Sequence, residues 1–147
     1  MSTSENKLLI RRFIEEVVNT SDLSRLHEFV APDCRELNDP SDRIAGIEGC
    51  RQHIMAVRTT YPDLHLIIED QLAEGDLVAT FVTMTGTHRG EWPPGAKPTN
   101  KRVRITAVNI NRIQDGRIVE HGGAANELGA FIEIGLIRFS DGQNTKS

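Results

Sequence analysis

The run Glu74–Gly129, EGDLVATFVTMTGTHRGEWPPGAKPTNKRVRITAVNINRIQDGRIVEHGGAANELG, decides the fold. It reads as three strand-like segments joined by turns and ending on a helix start. The turn Glu74-Gly75-Asp76 launches a strand from Leu77 to His88. Pro93, Pro94, Gly95 and Pro98 then impose a loop, since proline cannot donate to a strand ladder. The next strand runs from about Val103 to Ile113. Asp115-Gly116 is the strongest hairpin signal in the chain, and Arg117 to about Asn126 returns as its partner. Residues 127–135 read as a short closing helix.

Upstream of this run the period changes from 2 to 3.6. Leu9, Phe13 and Val17, flanked by Ile10 and Ile14, form a helical stripe over residues 5–19, with Ser2 and Glu5 placed as a capping box. Asp22 is positioned to cap a short second helix carrying Leu23, Leu26 and Val30. The stretch from Cys34 to Ala45, rich in Asp, Asn and Pro, reads as a loop, in which Asp39 and Asp42 are turn formers. Cys50, Ile54, Val57 and Tyr61 recur at helical spacing until Pro62 stops the helix. Leu64, Leu66, Ile68 and Leu72 then alternate as a first strand. Helices followed by an antiparallel sheet define an α+β class, with one curved sheet wrapped around helices and a concave pocket between them.

Strand parity assigns faces. Val103, Ile105, Ala107, Asn109, Asn111 and Ile113 share one face, while Arg102, Arg104 and Arg112 mark the other as outward. Asn109 and Asn111 thus interrupt an apolar inward face. An amide buried without partners costs about 1–3 kcal/mol, so each either bridges strands or meets a ligand. On the following strand Ile118, Glu120, Gly122, Ala124 and Asn126 share a face opposite His121, unless Gly122-Gly123 hosts a bulge. Asn126 also stands where the closing helix needs a cap. His88 is read either as a packed histidine or as a pocket acid/base. His27, His53 and His65 read as surface or helix-packing residues.

Composition limits the function classes. The 147 residues carry a net charge of −4, which argues against nucleic-acid binding. The basic run Lys101-Arg102-Val103-Arg104 is read as a solvated outer face. No apolar run approaches the roughly 18 residues that span a membrane, and the polar start lacks a signal segment, so a cytoplasmic location is expected. Cys34 and Cys50 lack metal-ligand spacing and are expected as reduced thiols. There is no glycine-rich phosphate loop and no nucleophile elbow. Neither a metal nor a cofactor is implied.

The pieces Tyr61-Pro62-Asp63-Leu64, Glu74-Gly75-Asp76, Gly86-Thr87-His88-Arg89-Gly90-Glu91, and Arg112-Ile113 followed by Asp115-Gly116-Arg117-Ile118-Val119-Glu120, in this order, resemble the SnoaL-like polyketide cyclases of the nuclear transport factor 2-like superfamily. The resemblance spans residues 6–136. It implies a single cone-shaped α+β barrel domain (residues 1–147, ordered core about 5–138), a homodimer, and an apolar or aromatic small-molecule substrate closed into a ring by intramolecular aldol condensation. It also implies that an acid/base aspartate is replaced here by Asn126, a second aspartate by Asn109 and a tryptophan by Gly122, leaving a roomier and more neutral pocket. His88 and Glu120 are then the nearby groups able to move a proton. Asn109, Asn111, Gly122, Trp92 and Tyr61 complete the expected substrate-binding set. A cofactor-independent hydroxylase and a binding domain without catalysis are the alternatives, because an amide exchanges no proton near neutral pH.

Overall fold

A computed structural model describes residues 1–39 and 45–140; Asp42 and the tail after Ser140 lie outside the described residues. Helix α1 (Thr3–Arg12) starts at the expected capping box, with Glu5 N–H donating to Ser2 Oγ at 3.1 Å and Ser2 N–H to Glu5 Oε2 at 2.8 Å. Such a cap is worth about 1 kcal/mol. The helix continues as a wider π turn over Phe13–Val18, closed by Asn19 N–H donating to Ile14 O. Asn19 can then clamp Leu66 through both main-chain groups, at 2.8 and 3.0 Å.

A 3-10 turn (Leu23–Arg25) and the short α2 (Leu26–Phe29) follow, and Asp22 makes no side-chain cap. The remaining elements are β1 (Val30–Glu36), α3 (Gly46–Thr60), β2 (His65–Glu74), β3 (Leu77–Thr87), β4 (Arg102–Gln114), β5 (Arg117–Ala125) and α4 (Glu127–Glu133). The strands form one mixed sheet, β1-β5-β4-β3-β2, not closed into a barrel, in which only β1–β5 is parallel. The helices and the inner sheet face bury one core that includes Ile10, Val17, Leu26, Val78, Val82 and Ile105.

Two corrections to the sequence reading bear on the site. The first is β1, whose second half, from Cys34 to Glu36, falls in a stretch that its composition predicts as loop. Pro32 lies within it, which an edge strand tolerates because its amide need not join a ladder. The second concerns parity. Ile68 pairs with Val82 but Asp70 with Phe81, so Glu69 is an extra residue that turns Leu72 outward, where it is 72% exposed. Likewise Arg112 pairs with Glu120 but Ile113 with Ile118, so Val119 bulges. Each bulge swaps the faces of all residues beyond it. Beyond Val119 the register therefore turns His121, Gly123 and Ala125 inward in place of Glu120 and Gly122.

Candidate active site

A cavity of about 730 Å³ opens between α3, the π turn and the inner sheet face. Its wall is mainly apolar, with polar groups at defined points. β4 contributes Asn109 and Asn111 as its parity requires, and β3 pairs with them through Thr80 and Val78. Neither amide has a hydrogen-bond partner among the described residues, although Asn111 is only 4% exposed. Tyr61 and Trp92 also line the cavity.

The group best placed to move a proton is His121, which the sequence reading had turned outward. It stands beside Asn111 on β5, and its Nδ1 lies 2.6 Å from Glu36 Oε2 on the neighbouring β1. Parallel pairing of Glu36 with His121 sets these side chains next to each other. Burial acts to raise the Glu36 carboxyl. The hydrogen bond and charge of His121, the Asn38 backbone N–H and the nearby His53 more than offset it, and the group stays below the usual carboxylate range. As a carboxylate, Glu36 accepts from Nδ1–H, which leaves Nε2 for the cavity. Among the described residues Nε2 has no partner. His53, on α3, lines the same cavity. Burial first, and His121 second, hold its imidazole below the ordinary value, favouring the neutral form.

The other expected proton carriers are engaged elsewhere. His88 is fully buried and does not line the cavity. Thr99 N–H donates to its Nδ1 at 3.1 Å, so Nε2 carries the proton and donates to the Trp92 carbonyl at 2.7 Å. Both ring nitrogens thus tie the loop over residues 89–101 to the end of β3. Glu120 faces out and accepts from Arg112 Nε at 2.9 Å, with Arg35 4.0 Å away. Asn126 caps α4, its Oδ1 accepting from Gly129 N–H at 3.2 Å, and stays off the cavity wall. Gly122 also faces out: a Cβ there would stand 3.0 Å from the Leu37 Cβ. Gly123, not Gly122, is the glycine of this pair that lines the cavity.

Asn38 holds β5 at that level, its side chain donating to Gly123 O at 2.8 Å and accepting from Gly123 N–H at 3.0 Å. Cys34 and Cys50 line the cavity as free thiols. Burial pushes them up to about 12 and about 11, so both stay protonated near neutral pH and are poor nucleophiles. Among the described residues no group of three His, Cys, Asp or Glu side chains is arranged to hold a metal ion.

An α+β cone whose helices and sheet enclose an apolar, amide-studded cavity is the nuclear transport factor 2-like architecture. The SnoaL-like polyketide cyclase family model matches residues 8–142, and the chain belongs to that family. Among solved structures it is similar to AclR from Streptomyces galilaeus, provisionally assigned as a hydroxylase, at 29% identity over 94% of this chain and 89% of that one, with a TM-score of 0.79. IdmH from Streptomyces antibioticus, provisionally assigned as a polyketide cyclase, shares 29% identity over 88% of this chain and 98% of its own, with a TM-score of 0.75. TsrD from Streptomyces laurentii shares 26% identity over 93% and 99%, with a TM-score of 0.81. The sequence matches none of the curated proteins.

Proposed function

We propose that the protein is a cofactor-independent enzyme that cyclises a polyketide-like or aromatic small molecule by intramolecular aldol condensation, with His121 as proton carrier. The observation that carries this reading is the Glu36–His121 dyad on the wall of the apolar cavity. A carboxylate that fixes one imidazole nitrogen frees the other to act as a base, the arrangement used in many proton-transfer sites. Nε2 takes a proton from a methylene flanked by two carbonyls. The enolate carbon then bonds to a ketone carbon of the same molecule, and the C=O electron pair moves to oxygen as an alkoxide. The imidazolium returns the proton to that alkoxide. Electrons and atoms balance without a redox partner, so no cofactor is required.

Asn109 and Asn111 stand beside the dyad and supply amide N–H donors to the substrate oxygens on which charge develops. The apolar wall folds the chain, and holding both carbons in reacting geometry supplies much of the acceleration. The two free thiols suit a reducing, cytoplasmic setting, and no helix of the described residues is long and apolar enough to cross a membrane.

The test is a cyclisation assay on an aromatic polyketide methyl ester. Wild type is expected to turn over, with Glu36→Gln clearly slower because the neutral amide no longer holds the imidazole tautomer. Equal rates for the two proteins would remove the dyad from the mechanism. The likeness to AclR supports a second reading, oxygenation of the same class of substrate. Stoichiometric oxygen uptake during turnover would replace the cyclase reading with that one.

We also infer a homodimer formed through the outer sheet face. Phe81 pairs across strands with Val108, and Ala79 with both Ile110 and Leu72. Phe81, Val108 and Ile110 are 41–42% exposed, forming an apolar strip bordered by Asp70, Arg104 and Arg112. An apolar strip flanked by both signs of charge is self-complementary under a twofold axis. Phe81→Glu is expected to convert a dimer into a monomer in sedimentation velocity; a monomeric wild type would contradict the inference.

A further inference from the structure

Tyr61 presents a hydroxyl that no other described residue uses. The residue is 4% exposed, lines the cavity, and its Oη is buried without a hydrogen-bond partner among the described residues. Leaving such a group unsatisfied is unfavourable, and each case in a folded protein calls for an explanation. The side chain is also held in place. The main-chain N–H of Tyr61 donates to Val57 O at 2.9 Å, and its ring sits 6.2 Å from the His88 ring. Gly86 lets it approach β3 so closely that a Cβ there would fall 2.8 Å from the Tyr61 Cβ. Burial, and then the charge of Glu127, push the phenol up to about 12, so it remains a donor throughout the working range.

Its place relative to the dyad gives the hydroxyl a meaning. His121 pairs with Asn111, and Asn111 with Val78, at the start of β3; Tyr61 packs at Gly86, near the end of that strand. The two groups therefore mark opposite ends of the cavity. The charge on the wall also discriminates. Glu127, whose charge is felt at the Tyr61 phenol, also lines the cavity, so an anion at that end meets a carboxylate.

We propose that the Tyr61 hydroxyl recognises an uncharged oxygen substituent at the end of the ligand remote from His121. The cavity then selects elongated, oxygen-bearing aromatic molecules over hydrocarbons and anions of the same shape. This rests on the cavity being the ligand site. The test uses 2-hydroxyanthracene, anthracene and anthracene-2-carboxylate as linear probes, read by energy transfer from Trp92, the chain's one tryptophan, which itself lines the cavity.

Wild type is expected to bind 2-hydroxyanthracene about five- to tenfold more tightly than anthracene, the usual worth of one neutral hydrogen bond. Tyr61→Phe should erase that difference while leaving anthracene affinity unchanged, which also shows that the variant is folded. The carboxylate should bind more weakly than either. No preference in wild type, a preference that survives Tyr61→Phe, or carboxylate binding as tight as the phenol overturns the proposal. Ala107→Phe separates the two levels, because it fills the cavity from β4. If it abolishes binding while Tyr61→Phe changes nothing, only the role of Tyr61 fails. If it leaves all three affinities intact, the cavity is not the ligand site and the parent reading fails with it.

Discussion

His121→Gln is expected to lower kcat for aldol cyclisation by about 10²–10⁴-fold, the range contributed by a positioned proton carrier, with KM little changed. Glutamine keeps the approximate size and a donor to Glu36, which lies 2.6 Å from the Nδ1 position. It has no lone pair basic enough to take a carbon-bound proton. Kinetics on an aromatic polyketide methyl ester, with binding followed separately, distinguish lost chemistry from lost affinity. His88→Gln provides the contrast. His88 lies off the cavity wall and ties the Trp92 carbonyl and Thr99 to the end of β3, so its replacement should lower thermal stability rather than remove a base. If His121→Gln retains wild-type kcat while His88→Gln loses it, the assignment is reversed.

Gly123→Ala should be among the most damaging single-methyl additions in the molecule. Gly123 has φ of +151°, in a region that L side chains rarely adopt, and an added Cβ would collide with the Val108 carbonyl oxygen of the paired strand. The same Cβ would stand 3.0 Å from the Asn109 Cα. Neither neighbour is the free end of a side chain, so backbone must move. Strain and overpacking together cost about 2–4 kcal/mol, which lowers Tm by roughly 10 °C in a chain of this size. Displacement of β5 would also carry His121 and Asn38 with it. Gly75→Ala is the control: φ there is +58°, but nothing lies within 4 Å of the added Cβ, so the cost is about 1 kcal/mol. Thermal unfolding of both variants by circular dichroism measures the difference; equal Tm values would show that the close approach at Val108 is absent.

Much of the fold was legible because its signals are local. The Ser2–Glu5 capping box, the Pro62 stop, the Asp115-Gly116 turn and the arginines that turn one face of β4 outward act over a few residues, and each stands where its chemistry places it. Asn109 and Asn111 were readable for the same reason, since β4 runs without interruption opposite β3. β1 was not, because its pairing partner lies more than eighty residues away and its own composition, with Pro32, Asp33 and no alternation, resembles a loop. That omission hid Glu36, one half of the dyad.

His121 was hidden by a single residue. Counting alternate positions from Ile118 places Glu120 and Gly122 inside, and the Val119 bulge exchanges them for His121 and Gly123. A bulge is a property of two strands in register, decided by which cross-strand alignment lets Ile113 and Ile118 both reach the core while Asn38 and Leu37 pack over Gly122. Nothing in the order of residues on β5 alone records that choice. The sequence by itself determined the class of fold, the family, the inward face of β4 and the apolar character of the cavity. Tertiary structure decided which ionisable groups face that cavity, because facing depends on pairing between distant strands, and pairing is settled by the packing of the whole sheet.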